Sequence, residues 1–423
     1  MATTVAQEGR FELPEEVEGR TNPGQPSLDK AFLERILQEV LRDRSARVLW
    51  LKKEQACKKG DNLLSELFRV SLRYSRTSEG HDRKQIEETI NFIVKLEPAT
   101  IGAGLKLIRD QELFSNELKV LRYVLPRIEK FVEQKLGPTL LYGSENPMLI
   151  VMEDLGTRGF ALKNRQKGLS MAHTVMTIET IAKFHAGSVA LYEEEPDLIR
   201  SFKRGVISEK SHANIFRLME ISLEKLSETW PEYGGDRACG KLKALASTIT
   251  SRLLNVCKYD PDEFCVLNHG DCWINNMLFR ENGKGEPIDL LMVDFQYSVY
   301  TSPAIDLLYF INICPEAKLK CDMDDFFLEH YLKVLKKYMK SIGCKTEPPT
   351  MEQLKRAMLK RRVYAVMSGL IYFPRMVADN DDIESFDEFL ETGDTKMDIF
   401  KNPDVVTVFR KLITTMNDKG YLD

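Results

Sequence analysis

The spacing of apolar residues changes from a helical to a strand period near the start of the chain. Residues 28–41 place their apolar side chains on one stripe, which predicts a helix with Ser27 as its N-cap. Apolar and polar residues then alternate in 65–75, and apolar runs occupy 47–53 and 89–98. These three segments predict an antiparallel meander of strands.

A second helix and two more strands follow the meander. The helical period returns over residues 113–128, and two short apolar runs at 139–143 and 148–155 predict strands. The charged stretch between Gly80 and Ile86 predicts an exposed hairpin loop. Five strands and one inserted helix therefore make up a small α+β lobe.

The rest of the chain is mostly helical. Five segments carry the helical period: 170–192, 209–230, 239–257, 322–343 and 351–373. Among them, residues 276–279 and 289–295 flank a Gly-rich turn and predict a β-hairpin. The pattern predicts a two-lobed α+β protein with a flexible tail (1–27), a small β-rich N-lobe (28–155) and a larger helical C-lobe (156–423). Ligands favour the cleft between such lobes.

Composition narrows the class of protein. Of the 423 residues, 43% are hydrophobic and 29% charged, as in ordinary globular proteins, and the net charge of −4 disfavours nucleic acid as a partner. The eight cysteines form no C-x-x-C pair, which disfavours zinc and disulfide frameworks and suits free thiols. No apolar run reaches the ~20 residues that span a bilayer, and the polar N-terminus is unlike a signal peptide. We expect a cytoplasmic protein without a membrane or an obligate protein partner.

The most informative chemistry lies in "CVLNHGDCWINNMLFR", residues 265–280. Asp271 lies in a polar loop that ends at Asn276, and the predicted hairpin returns Asp294 to the same place. Carboxylate and amide oxygens bind Mg²⁺ together with substrate phosphates, and phosphoryl transfer also needs a group to accept the hydroxyl proton. A single loop aspartate usually only caps a turn, but three such residues in this order point to phosphoryl transfer.

These motifs resemble the catalytic loop and metal-binding turn of the protein-kinase-like superfamily. The "HGD" form resembles the branch that phosphorylates small molecules, the aminoglycoside and choline kinases. The fuller resemblance is to the insect ecdysteroid kinase-like family, also called CHK kinase-like, over roughly residues 48–376. It is carried by "LNHGDCWINNMLF", "VDFQYSVYTSPAIDLLYF", "FSNELKVLRYVLP", "VMEDL" and "IAKFHA".

The resemblance implies ATP and Mg²⁺ as cofactors and a role for each matching residue. Asp271 would be the catalytic base that orients and deprotonates the acceptor hydroxyl. Asn276 and Asp294 would bind Mg²⁺. Lys95 would hold the α- and β-phosphates, and Glu117 would pair with that lysine.

Other residues would position the nucleotide or support the loop. Glu153 and Leu155 resemble the segment between the lobes whose backbone binds adenine. His269 and Asp306 resemble residues that brace the catalytic loop. For His185 we expect a role in the core or behind the site rather than in catalysis.

The chain departs from the protein-kinase pattern at two places. Only Gly60 marks the turn that would cover the phosphates, with Asn62 and Ser65 as further candidates. Between Asp294 and Asp306 there are too few residues for an activation loop, which argues against a protein substrate.

The function that this implies is transfer of a phosphoryl group to a hydroxyl of a small molecule, in particular an ecdysteroid-like or other apolar hydroxylated compound. Trp273, two residues after the base, would contact a flat apolar acceptor or pack inside the loop, and both readings stay open. A catalytically inactive binding protein and a kinase of an amino alcohol such as choline are the alternatives.

Overall fold

The computed structural model describes Asn22 and residues 24–56, 64–78 and 84–423. Its first part is an antiparallel five-stranded sheet with the order β1-β2-β3-β5-β4. The strands are β1 Arg47–Gln55, β2 Glu66–Thr77, β3 Gln85–Leu96, β4 Leu140–Glu145 and β5 Met148–Glu153. The predicted meander of the first three strands is confirmed by their pairing. In this register Lys95 lies between Leu67 of β2 and Ile150 of β5.

One face of the sheet is covered by α1, Lys30–Leu41. Leu33, Ile36 and Leu37 of this helix are buried in one cluster with residues of β2, β3 and β5. The predicted N-cap, Ser27, is wrong. Asp29 caps the helix instead, because its carboxylate accepts a 2.8 Å hydrogen bond from Phe32 N.

The predicted helix over 113–128 is three segments in the structure. These are α3 Leu113–Lys119, a π-helical turn Val120–Val124 and α4 Leu125–Val132. Pro126 lacks the N–H that would continue the α-helical ladder, which accounts for the irregular turn before it. The sequence analysis also missed α2, Ala103–Asp110, which leads directly into α3.

The larger part is predominantly helical, as expected. Its helices are α5 Met171–Glu194, α6 Pro196–Arg200, α7 Ala213–Thr229, α8 Pro231–Gly234, α9 Cys239–Ala246, α10 Ile249–Val256, α11 Ala304–Ile313, α12 Asp324–Ile342, α13 Met351–Lys360, α14 Arg362–Val366, α15 Phe373–Val377, α16 Phe386–Thr392 and α17 Pro403–Asp418. Two predicted helices are divided: 239–257 into α9 and α10, and 351–373 into α13, α14 and a π-helical turn, Met367–Tyr372, that leads into α15.

Five short strands support the loops of the larger part. They are β6 Ala161–Leu162, β7 Val266–Asn268, β8 Met277–Glu281, β9 Pro287–Met292 and β10 Val299–Thr301. The predicted hairpin is confirmed, since β8 pairs with β9 in antiparallel register. β7 pairs with β10, so the segment before the HGD motif is anchored beside the segment after Asp294.

Part of the segment that was predicted to be a flexible tail is attached to the small lobe. Asn22 and Gln25, assigned to the tail, hydrogen-bond to the loop after β3, through Ala99 O (2.6 Å) and Glu97 O (2.9 Å). Attachment to the folded part therefore begins before residue 28. Most of the predicted tail and the tip of the predicted hairpin loop, 79–83, lie outside the described residues. The boundary at residue 155 stays a prediction.

Candidate active site

The HGD loop is held by a single buried carboxylate. Asp306, in the first turn of α11, accepts hydrogen bonds from His269 N (2.7 Å), Gly270 N (2.8 Å) and His185 Nε2 (3.0 Å). Burial alone would raise the pKa of Asp306, but the hydrogen bonds that its carboxylate accepts, first from His185 and then from Gly270 N, lower the pKa below its usual value. Asp306 and His269 therefore lie where we expected them, and His185 lies behind the loop rather than in the cleft.

His269 fastens the loop to the strand that leads to Asp294. Its Nε2 donates to Val293 O at 2.9 Å, and its Nδ1 accepts from Asp271 N at 3.3 Å. Burial lowers the pKa of His269, which keeps the ring neutral with the proton on Nε2. This arrangement suits a supporting role for His269 in the loop.

Gly270 is required by close packing. Its φ of +86° lies in the left-handed region, and a Cβ at this position would collide with the carbonyl oxygen of Tyr297. The glycine thus lets the loop press against the short turn after Asp294, which brings the two halves of the site together.

Asp271 projects from this loop with both carboxylate oxygens hydrogen-bonded. Oδ1 accepts from Tyr309 Oη at 2.8 Å and Oδ2 from Asn276 Nδ2 at 3.0 Å. Burial, and then the negative charge of Asp294, raise the pKa of Asp271 to about 7. A carboxylate with such a pKa is well matched to accept a proton near neutral pH.

Asp294 and Asn276 are adjacent because the backbone joins them. Val293 N donates to Asn276 O at 3.0 Å, and Asp294 follows Val293 with a φ of +65°. Asn276 uses its Nδ2 in both of its side-chain hydrogen bonds, to Asp271 O and Oδ2, which keeps its amide oxygen for another partner.

Lys95 links the sheet to this pair of loops. Its Nζ lies 2.6 Å from Glu117 Oε2 and 2.7 Å from Asp294 Oδ1, and the lysine is 3% exposed. Burial would lower the pKa of Lys95, but the two carboxylates outweigh it and raise the pKa. The predicted pairing of Lys95 with Glu117 is therefore present, and Asp294 joins it.

The segment after β5 borders the same cleft. Glu153 receives hydrogen bonds on its side chain from Thr139 N and Oγ1 and pairs with Arg158, and Leu155 is buried. Both residues line one large cavity with Lys95, Asp271 and Asp294. Gly60 and Asn62 lie outside the described residues, and Ser65 comes just before β2.

The cavity that contains these residues has a volume of about 1130 Å³. Trp273 lines it and is half-buried, with part of the side chain against the core. Besides these residues and several charged side chains, the lining of the cavity includes many apolar and aromatic residues of the larger part: Val206, Ile215, Leu218, Tyr297, Tyr309, Tyr372, Met376, Phe386 and Phe389.

Residues 379–398 are here called the cover segment, and its part between Asn380 and Phe389 forms a wall of this cavity that the sequence analysis missed. Glu384 in this segment pairs with Arg375, and Asp387 in α16 accepts a 3.2 Å hydrogen bond from Gly104 N at the start of α2. Tyr309 was also missed, although its place three residues after Asp306 puts it on the same helix face.

In the described part of the chain, no group of three or more His, Cys, Asp or Glu side chains could hold a metal ion by itself. The seven cysteines outside the undescribed stretches are free thiols. None of the helices that the structure describes has the length and apolar content of a membrane crossing.

A β-rich lobe, a helical lobe and a loop–hairpin site between them define a protein-kinase-like fold. The chain matches the ecdysteroid kinase-like family over residues 59–344 and belongs to that family. No curated protein matches the chain significantly.

Several solved kinases resemble the fold distantly. An ethanolamine kinase of Plasmodium vivax is 13% identical with a TM-score of 0.35, covering 75% of this chain and 77% of its own. An aminoglycoside phosphotransferase of Streptomyces rimosus, solved with ADP and streptomycin, is 12% identical with a TM-score of 0.28, covering 70% and 90%. A glucosamine kinase solved with glucosamine, ADP and phosphate is 11% identical with a TM-score of 0.29, covering 85% and 81%. Scores this low support no argument about activity.

Proposed function

We propose that this protein transfers the γ-phosphoryl group of ATP to a hydroxyl of a small, apolar, hydroxylated molecule such as an ecdysteroid. The observation that carries the proposal is the convergence of Asp271, Asn276, Asp294 and Lys95 in one cavity, with the spacing between them set by hydrogen bonds. Membership of the ecdysteroid kinase-like family supports the same class of reaction.

The residues present fit Mg²⁺ as the metal. This ion takes few protein ligands, prefers oxygen and completes its shell with phosphate oxygens and water. Asp294 offers a carboxylate that is 22% exposed, and Asn276 offers an amide oxygen beside it. When bound, Mg²⁺ would supply positive charge that stabilises the negative charge on the transferred phosphoryl group.

The roles of the protein side chains follow from their positions. Lys95, fixed by Glu117, holds a positive charge against the phosphates at the base of the cleft. Asp271 accepts the proton of the acceptor hydroxyl and orients that oxygen in line with the phosphoryl group. Glu153 and Leu155 present backbone groups to the adenine.

The charges around the acceptor end favour an apolar compound over a cationic amino alcohol. Glu384 already pairs with Arg375, Asp387 is bound to the α2 backbone, and Asp381 is exposed. Tyr372, Phe389 and the half-buried Trp273 instead offer ring surface, and ring contacts add ~0.5–1.5 kcal/mol to simple burial.

The test is a phosphoryl-transfer screen of the purified protein with Mg·ATP. An ecdysteroid, a plant phenol, choline, ethanolamine and an aminoglycoside are supplied separately, and product mass and ADP are measured. We expect a phosphorylated ecdysteroid or phenol, and no product from Asp271→Asn. A clear preference for choline would establish the amino-alcohol alternative. ATP binding without transfer to any acceptor would support the inactive alternative.

A further inference from the structure

One ion pair lies among the apolar residues that line the cavity. Arg375 of α15 pairs with Glu384 of the cover segment, and both line the cavity together with Asp271. The side chain of Arg375 is 18% exposed and that of Glu384 is 3% exposed. Burial would raise the pKa of Glu384, but the charge and the hydrogen bond of Arg375 outweigh it and lower the pKa. The pair is therefore ionised although it is largely withdrawn from water.

The guanidinium group of Arg375 is held in one orientation. Its Nη2 donates to Glu384 Oε1, and its Nη1 donates to Thr395 Oγ1 at 3.0 Å. The guanidinium carbon lies 5.8 Å from the centre of the Phe389 ring. Glu384 is engaged on both oxygens, since its Oε2 accepts from Thr395 Oγ1 at 3.2 Å and from Lys396 N at 3.1 Å. The carboxylate therefore serves to fix the arginine.

Arg375 has more N–H groups than these contacts use. An arginine side chain carries five N–H donors, and the hydrogen bonds of Arg375 to the described residues engage two of them. The other donors belong to a side chain that lines the cavity, and a charged donor forms a stronger hydrogen bond than a neutral one. They suit an oxygen atom of a ligand, whereas the positive charge repels an ammonium group.

Aromatic rings connect Arg375 with Asp271 along the wall of the cavity. Tyr309 donates to Asp271 Oδ1 at 2.8 Å, and its ring packs edge-on against Tyr372 with the centroids 6.3 Å apart. Arg375 follows Tyr372 by about one helical turn, which places the two side chains on one face. A ligand with a hydroxyl at Asp271 would therefore lay an apolar body along these rings before it reaches Arg375.

We propose that Arg375 binds an oxygen atom of the acceptor at the end remote from the phosphorylated hydroxyl. The assignment rests on the proposed function and narrows its substrate class to rigid apolar compounds with a second hydroxyl or carbonyl oxygen at the far end. Glu384 and Phe389 position the guanidinium group, and Arg375 determines the specificity. A compound without the far oxygen leaves the N–H groups unpaired in a place with little water, so it binds more weakly.

The test compares two steroids with Mg·ATP. Androstanediol carries a hydroxyl at each end of a rigid four-ring skeleton, and androstanol carries only one of them. We expect the wild type to phosphorylate the diol with a kcat/KM ~10- to 100-fold above that of androstanol, which is the range for one hydrogen bond to a charged donor. Equal kcat/KM values for the two steroids in the wild type would overturn the proposal whatever the variants do.

The double variant Arg375→Met with Glu384→Gln removes the donors without leaving a buried carboxylate unpaired. We expect it to lose the preference through a higher KM for the diol. Arg375→Lys keeps the charge but lacks the planar set of donors, so its preference should be intermediate. Lys401→Met is the control, because Lys401 pairs with Asp382 of the cover segment at the exposed surface. A preference that survives in the double variant, or that disappears in Lys401→Met as well, would contradict the role of Arg375.

Calorimetric titration of the two steroids without ATP separates this proposal from the proposed function. If the wild type binds the diol more tightly than androstanol, the double variant binds both equally and neither is phosphorylated, only the proposed function fails. If both steroids are phosphorylated with equal kcat/KM and bind with equal Kd, only the role of Arg375 fails. Failure of the wild type to bind either steroid would overturn both.

Discussion

At the scale of single residues, Lys95 joins two carboxylates that come from distant parts of the chain. Glu117 lies 22 positions away on α3, and Asp294 lies 199 positions away after β9. Because the lysine carries one charge between two acids, the sheet, α3 and the turn at Asp294 are held together electrostatically in the absence of nucleotide. Binding of a metal at Asp294 would then compete with Lys95 for the same oxygen.

Asp294 is the residue at which this competition can be measured. We expect Asp294→Asn to abolish most turnover and to shrink the rise in Tm that Mg·ATP produces, since a neutral amide lacks the negative charge with which the carboxylate attracts Mg²⁺. The Tm without nucleotide should change little, because Lys95 retains Glu117. Asp289→Asn on the same hairpin is the control, since that carboxylate pairs with the partly exposed Arg280 and with its neighbour Leu290 N. An undiminished Mg·ATP shift in Asp294→Asn would contradict the metal assignment.

A site residue could be predicted from the sequence when it belongs to a local motif. Asp271, Asn276 and Asp294 belong to local motifs whose spacing is visible in the sequence, and the structure brings all three together. Tyr309 and Arg375 contact the site only through folding of helices that are distant in sequence. An aromatic residue on a buried helix gives no sign of whether its hydroxyl meets a carboxylate or a neighbouring ring.

At the scale of elements, the cover segment connects the acceptor end of the cavity to the small lobe. Asp387 caps α2 at Gly104 N, where α2 has no side-chain cap of its own. α2 leads within two residues into α3, which carries Glu117. The cover segment, which borders the proposed acceptor site, is therefore linked through α2 and α3 to Glu117, the partner of Lys95.

Asp387→Ala tests this connection. We expect the KM for the acceptor to rise several-fold because the wall loses its tie to α2, while the KM for ATP changes less. Loss of such a charged hydrogen bond to a helix N-terminus costs ~0.5–2 kcal/mol of stability. Glu388→Ala, the exposed neighbour in the same turn, is the control. An equal effect of both substitutions on KM would argue that the tie plays no part in acceptor binding.

The predicted helices and strands were wrong where the hydrophobic pattern alone does not determine the structure. The strands of the sheet were predictable because alternation is a local property. The break of one predicted helix at Val120–Val124 is caused by Pro126, whereas the hydrophobic period alone predicts an uninterrupted helix over 113–128. The cover segment has a weak pattern of its own, and tertiary contacts fix it in place, among them those with Arg375, Asn214 and Gly104.

At the scale of the whole molecule, the buried charges of the site lower the stability of the fold. Asp271 and Asp294 repel each other in a buried setting, and Lys95 is almost fully withdrawn from water. Such groups are stable only because the surrounding core is extensive and their hydrogen bonds are satisfied. The raised pKa of Asp271 makes this cost dependent on pH.

The sign of that dependence follows from proton linkage. Asp271 has a pKa of about 7 in the folded protein against an ordinary value of 3.8, so the folded state binds an extra proton between these two pH values. Stability contributed by this group therefore falls as pH rises through that window and stays low above it. Asp271→Asn cannot titrate and escapes the loss.

We therefore expect the Tm of Asp271→Asn, relative to that of the wild type, to increase between about pH 5 and pH 8 and to level off above it. The comparison is made by thermal unfolding of both proteins without nucleotide, so that titration of groups elsewhere cancels between them. Asp289→Asn, whose carboxylate lies in a surface pair, should show a difference from wild type that does not vary with pH in this range. A constant difference for Asp271→Asn as well would mean that Asp271 is already ionised at pH 5, and the base would then be fully active in acid.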